Sequence, residues 1–245
     1  MSEFTLIEGQ TAVLAVLSSK SRKVEKILIS RESDRRKRLA LMPIIRRAEV
    51  GGIPVLEVSR EEIDSLCTGK THGGVAAYVG EREYFPLCKA LSEKNGFFVL
   101  LDGVEDPYNF GQALRAIYAA GADGILLPER NWFSAAPVVA RASAGASEYI
   151  NAISCDCYDA LRAFKEKGYR IVVCDNTENS VPMQEAELKR PLVLIVGGEK
   201  RGIHAKLRAL SDVEARIEYG RDFSASLGAA AACSVLAFEV LRQNS

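Results

Sequence analysis

Three glycine-bearing turns in the second half of the chain hold the side chains best suited to bind a ligand and act on it. The first is DGVEDPYNFGQALRAIYAAGADGILLP, Asp102 to Pro128. Asp106-Pro107 breaks a strand, Asn109 is suited to cap the helix that follows, and Gly111 lets backbone or ligand approach closely. Arg115 comes six residues after Asn109, slightly under two helical turns, so the two do not quite share a face. The second is LIVGGEKRGI, Leu194 to Ile203, where an apolar strand runs into Gly197-Gly198 and then presents Glu199 and Arg201. Paired glycines expose backbone donors and acceptors to a ligand. The third is ARIEYGRDFSASLGAAAACSVLAFEVL, Ala215 to Leu241. Here a strand leads through Gly220 to Ser226, read as the cap of an alanine-rich helix that lets a cofactor or another backbone pack closely. Taken singly, each turn has a plain alternative: a surface arginine, a tight turn, ordinary helix packing.

Other chemistries lack their residues. No turn matches GxGxxG or GxxxxGK[ST], which disfavours a dinucleotide site and a phosphate loop. The two histidines, His72 and His204, stand far apart in sequence, so neither a histidine triad nor a His/Cys metal centre is supported. His72 reads as a loop hydrogen-bonding residue and His204 as exposed. The six cysteines are scattered, with no CxxC pair and no disulfide framework, and no metal is expected. Without an N-terminal secretory pattern or an apolar run long enough to span a membrane, a reduced, cytoplasmic protein is the reading.

The elements that must position these turns are α/β. FFVLLDGV, DGILLP, RIVVCD and PLVLIVGG are continuous apolar runs, as in strands buried on both faces. Helices are expected near Asn109–Ala120, Ala136–Ala142, Tyr158–Lys167 and Ser226–Gln243, and together they predict a mostly parallel sheet. Residues 1–80 form a smaller α/β unit. It has a helix over Glu8–Leu17, a strand over Val24–Ser30 and a basic helix over Asp34–Glu49, interrupted or restarted at Pro43. A strand over Ile53–Val58, a short helix capped by Ser59 and a strand over Gly74–Val79 complete it. The charged stretch 81–96 is read as a linker, leaving 97–245 as the second domain.

The chain is electrically neutral overall, yet 11 basic residues face three acidic ones between Lys20 and Arg47. The run Arg35-Arg36-Lys37-Arg38 is suited to neutralising phosphates. A solvated helix face is the alternative on charge alone.

Together, in this order and spacing, the three turns resemble the motifs of the SpoU/TrmH RNA 2′-O-methyltransferases. DPYNFGQALRAIYAAG matches the first, with Asn109, Gly111, Arg115 and Gly121 in place. Gly197, Glu199 and Gly202 match the GxExxG of the second, and Ile217, Ser226 and Leu227 match the third. IEGQTAVLAVL, GGIPVLEVSREEIDSL and THGGVAA resemble the ribosomal-protein-like substrate-binding module often attached to this family.

The resemblance implies a C-terminal sheet tied in a deep trefoil knot and a homodimer. It also implies S-adenosylmethionine as cofactor, held by Gly197, Gly198, Ile217 and Leu227, without a metal. Arg115, Asn109, Glu199 and Ser226 would be the catalytic group. Arg35, Arg36, Lys37, Arg38 and His72 would meet RNA, ribosomal or transfer, with ribosomal favoured. The chain departs from the pattern at Gly73, where the family has glutamine, and at Gly228, where it has asparagine. The second departure leaves open an RNA-binding relative with weak or no activity. A base-directed methyltransferase is the other alternative, since knotted methyltransferases act on both kinds of acceptor.

Overall fold

The computed structural model describes residues 4–32, 35–69, 71–128, 135–199 and 201–245. They form two compact units, one from residues 1–83 with 131–149 and the other from 84–130 with 150–245.

The first unit opens with β1 (Thr5–Glu8), α1 (Gln10–Ser19), β2 (Arg22–Ser30), α2 (Arg35–Val50), β3 (Val55–Val58), α3 (Arg60–Leu66) and β4 (Val75–Arg82). The sheet order is β1-β4-β2-β3, with β2 and β3 parallel and the other pairs antiparallel. The helix expected from Glu8 begins after a strand instead: Glu8 ends β1, and Gly9, at φ 95°, turns the chain into α1. The basic helix is continuous through Pro43 and buries Leu41, Ile44 and Ala48 on one side. Leu39, whose carbonyl Pro43 cannot engage, is exposed and can be hydrated. Asp34, the expected first residue of that helix, lies outside the described residues. Ser59 caps α3 as expected, its hydroxyl accepting from the Glu62 amide. The supposed linker is partly structured: β4 continues to Arg82, and Phe85 donates its amide to Ala152.

The chain then enters the second unit with α4 (Leu87–Ala90), β5 (Phe97–Asp102), α5 (Pro107–Ala119) and β6 (Gly124–Leu127). It returns to the first for α6 (Ala136–Ala142) and α7 (Ala146–Tyr149), where Ala136 and Ala140 join a core with Ile7, Val13, Ile27 and Ile44. Glu148 of α7 is buried there and paired with Arg22 at 3.0 Å and Arg82 at 3.4 Å.

The rest of the second unit is β7 (Asn151–Ser154), α8 (Cys157–Glu166), β8 (Arg170–Cys174), β9 (Val181–Pro182), β10 (Leu192–Gly197), α9 (Ala205–Arg208), β11 (Val213–Arg216) and α10 (Ala229–Asn244). Its seven strands lie in the order β7-β6-β5-β10-β8-β11-β9, and every pair is parallel. The expected apolar runs form its centre: β5 and β10 are buried at every position but the last. One face packs on α8 through Phe98, Phe164 and Tyr169, with ring centroids 4.8–6.0 Å apart. Residues Ile195, Val173 and Leu161 belong to the same cluster. Helix α10 packs on α5 and β10. No helix among the described residues is long and apolar enough to cross a membrane.

Candidate active site

Parallel sheets bind ligands beyond the carboxyl ends of their strands, and all three glycine turns emerge at that edge. At the centre, β10 ends against the turn after β5. The Gly198 amide donates to the Asp102 carbonyl at 2.7 Å, and the Gly202 amide returns to the Gly198 carbonyl at 2.9 Å. The Asp102 carboxylate accepts from the His204 amide at 2.6 Å. A Cβ on Gly198 would stand 2.3 Å from the Gly103 oxygen, and one on Gly197 would stand 2.7 Å from the Gly202 carbonyl carbon. Both glycines are therefore required by the packing of backbone on backbone, whatever else they do.

Two cavities open at this edge. The larger, about 760 Å³, is bounded by Cys174 and Asp175 after β8, Gly197–Glu199 after β10, and the segment Arg216–Leu227 after β11. The smaller, about 230 Å³, is bounded by Gly103–Asp106, Asn109, Glu199 and Arg201. Gly198, Glu199 and Ala229 line both, so Glu199 stands in the wall between them.

The structure thus brings Gly197, Gly198, Ile217, Ser226 and Leu227 around the large cavity, and Asn109 and Glu199 around the small one. Arg115 lines neither. It is exposed on α5, and its side chain makes no ion pair or hydrogen bond among the described residues.

Two expected caps are corrected. Asp106, not Asn109, caps α5: its carboxylate accepts from the Asn109 amide at 2.8 Å, and Pro107 takes the first helical position. Helix α10 is capped by Gly228 with no side-chain bond, so Ser226 does not cap it and remains exposed at the cavity. The sequence reading also missed Asp175 and Tyr219 in the large cavity and Glu105 and Asp106 in the small one. The Tyr219 hydroxyl accepts the Leu227 amide at 3.0 Å, which pins the loop, and nothing local in the sequence announces that bond.

His72 is corrected as well. Its side chain is fully buried. The Gly74 amide donates to Nδ1 at 3.2 Å, so Nε2 carries the proton and donates to the Asp64 carboxylate at 2.6 Å. That hydrogen bond holds the Asp64 carboxyl below its usual range. The ring shapes the loop as first read, but it is too deep to touch RNA. Gly73, at φ 64°, suits that loop better than the family's glutamine. Arg35, Arg36, Lys37 and Arg38 are exposed on α2, and Arg38 is paired with Glu57 at 2.8 Å.

A fit test for the cofactor rests on backbone and charge. From Glu218 to Ser226 the chain makes no backbone–backbone hydrogen bond among the described residues, so its amides and carbonyls are free to serve a ligand at the cavity. A nucleoside carrying an amino-acid tail needs many neutral donors and acceptors, and the cavity falls within the usual size of a cofactor site. Burial pushes the Cys174 thiol up to about 11, which keeps it neutral and unreactive beside such a ligand. No cluster of His, Cys, Asp or Glu suited to a metal occurs among the described residues.

An all-parallel sheet whose carboxyl edge offers a backbone-lined cavity beside a smaller acidic one is a geometry able to hold a cofactor next to an acceptor. The family model for the SpoU rRNA methylase family matches residues 96–238, and that for RNA 2′-O-ribose methyltransferase substrate binding matches residues 6–85. The chain belongs to the SpoU rRNA methylase family. It is 31% identical to the Shewanella oneidensis 23S rRNA (guanosine-2′-O-)-methyltransferase RlmB, over 99% of both chains. The fold matches the AdoMet-bound rRNA methyltransferase of Sinorhizobium meliloti with a TM-score of 0.81 at 25% identity, over 98% of this chain and 87% of that one. The AdoMet complex of AviRb from Streptomyces viridochromogenes shares the fold, with a TM-score of 0.79 at 18% identity over 98% and 90% of the two chains. As a member of this family, the chain is an S-adenosylmethionine-dependent RNA 2′-O-methyltransferase.

Proposed function

We propose that the protein methylates one ribose of ribosomal RNA, with the cofactor in the large cavity and the target ribose in the small one. The observation that carries this reading is the shared wall: Glu199 and Gly198 border both cavities, so donor and acceptor would meet there. Ribosomal RNA is preferred because the family and RlmB are both described as acting on it.

Bound S-adenosylmethionine supplies an electrophilic methyl group on its sulfonium. Gly197, Gly198, Ile217 and Leu227 would hold it as the walls of the cavity, with the unbonded backbone from Glu218 to Ser226 supplying donors and acceptors. A ribose hydroxyl must lose its proton as it attacks. A guanidinium stays protonated at every working pH and cannot take that proton. Arg115, which borders neither cavity of its own chain, would instead act across the homodimer, where it grips an RNA phosphate and stabilises the developing alkoxide while a phosphate oxygen accepts the proton. Asn109 and Glu199 orient the ribose, and Ser226 donates to the substrate. On the first unit, Arg35, Arg36, Lys37 and Arg38 anchor the RNA backbone.

The exposed Tyr118 of α5 and Phe238 and Leu241 of α10 would lie under a second copy of the chain in a homodimer. The close backbone crossings at Gly197 and Gly198 are the kind of packing a deep trefoil knot requires. A cytoplasmic site of action is part of this reading.

Mapping alkaline cleavage of the RNA tests this reading. A methylated ribose lacks the hydroxyl that drives strand scission, so the hydrolysis ladder should show one gap. The gap should appear only when protein, cofactor and RNA from cells lacking the protein are combined. Methyl label in RNA with an unbroken ladder would mean a base acceptor. No label at all would mean an RNA binder.

A further inference from the structure

We propose that Arg201 positions the RNA substrate, as the cation that lets a phosphodiester enter the small cavity. This rests on reading that cavity as the ribose side. Its walls carry three carboxylates, Glu105, Asp106 and Glu199. Asp106 is committed to the Asn109 amide. Glu105 and Glu199 make no ion pair among the described residues. An RNA phosphate approaching these exposed groups meets negative charge on several sides.

Arg201 is the single cation among the described lining residues. It too makes no ion pair or hydrogen bond among them, although three acids border the same space. Its guanidinium is therefore uncommitted, exposed and at the cavity wall. A planar fork of donors in that place matches two phosphate oxygens at once. Arg115 cannot do this work within the single chain, because it borders neither cavity.

The turn fixes the backbone from which Arg201 projects. It lies between the Glu199 wall and Gly202, whose amide bonds back to the Gly198 carbonyl at 2.9 Å. Gly202 adopts φ 61°, which lets the chain reverse immediately after Arg201. A side chain anchored on a closed turn loses less entropy when it grips a ligand than one on an open loop.

The test compares the wild-type chain with R201A, R201Q and R201K. In vitro transcribed ribosomal RNAs serve as substrate, with methyl-labelled cofactor. R201A and R201Q should raise the KM for RNA about tenfold, the effect of losing one charge-assisted contact. Their kcat should stay within a few-fold, with cofactor Kd unchanged. The slope of log affinity for RNA against log salt should flatten by about one unit, one lost phosphate contact. R201K should recover part of the KM, having the charge but not the fork. Unchanged KM and salt slope in folded R201A and R201Q would overturn the proposal, as would a loss of cofactor affinity. A wild-type chain that transfers no label, seen before any variant is made, would sink the methyl-transfer reading and this assignment with it.

Discussion

A Cβ built on Gly228 would stand 3.0 Å from the Glu199 carboxylate oxygen. The residue that departs from the family's third motif therefore abuts the glutamate of the second, in the wall between the two cavities. Its backbone, φ −56° and ψ 147°, is open to any residue, so only the flexible end of Glu199 stands in the way of a side chain. Gly228→Asn should fold normally, because asparagine is at least as good a helix cap as glycine. The amide would contact Glu199 and restore a group able to orient the ribose, so kcat should rise while the melting temperature holds or climbs slightly. Steady-state kinetics with thermal unfolding check this, and a fall in kcat in a folded variant would show that Glu199 needs the space.

Gly198 makes the opposite demand. Its Cβ would meet the Gly103 carbonyl oxygen at 2.3 Å and its carbon at 2.6 Å, both backbone atoms that cannot swing aside. Gly198→Ala should therefore cost stability, on the order of 1–3 kcal/mol as for other overpacked sites. Gly228→Ala, facing only a side chain, should cost much less. Denaturant midpoints for the two variants decide the matter, and equal midpoints would mean that the β10 turn relaxes more readily than its contacts indicate.

In the first unit the buried Glu148 carboxylate pairs with Arg22 and Arg82 and accepts from the Ser21 hydroxyl at 2.6 Å. Burial by itself pushes the Glu148 carboxyl up, but the two guanidinium charges and these hydrogen bonds outweigh it and leave the pKa below its usual value. A depressed folded-state pKa stabilises the fold above the unfolded value, near 4.3 for a glutamate, and that contribution is lost as pH falls further. Glu148→Gln should destabilise the unit by about 3–5 kcal/mol, since two buried cations lose their counter-charge. It should also flatten the acid limb of the stability–pH curve. A midpoint for the variant that falls as steeply below pH 4.3 as the wild type's would rule this account out.

Much of this was legible from the sequence, for reasons that differ by element. The central strands β5, β8 and β10 announced themselves because strands buried on both faces need unbroken apolar runs, and Leu192–Gly197 could hardly be anything else. Strand β1 was missed: it is four residues long, and it exists by pairing antiparallel with β4, some 70 residues on. Capping was misread by a few positions at both Asn109 and Ser226. Several adjacent polar residues could serve at each end, and only the chain's actual path selects Asp106 and Gly228. The packing of α6 and α7 in the first unit follows from distant contacts such as Glu148 with Arg22, which no local pattern encodes. Of the site, the glycine turns could be read because backbone approach restricts residue type. The division into two cavities could not, since it depends on where three separate loops converge.

Arg115 offers the clearest separation of binding from chemistry. It lies on α5 outside both cavities and exposed, whereas the large cavity is lined by residues after β8, β10 and β11. Arg115→Ala should therefore leave cofactor affinity, measured by calorimetry on the full chain, within about twofold, the small change usual for an exposed residue far from special features. Methyl transfer should fall by at least two orders of magnitude, roughly what removing one preorganised transition-state donor costs. Arg115→Lys should recover little, because an ammonium cannot span two oxygens of a phosphate or hold an alkoxide and a phosphate together. A folded Arg115→Ala protein that no longer binds the cofactor would place this residue on the wrong partner. One that binds the cofactor and still methylates at the wild-type rate would leave Arg115 an ordinary surface arginine and shift the burden of holding phosphate to Arg201.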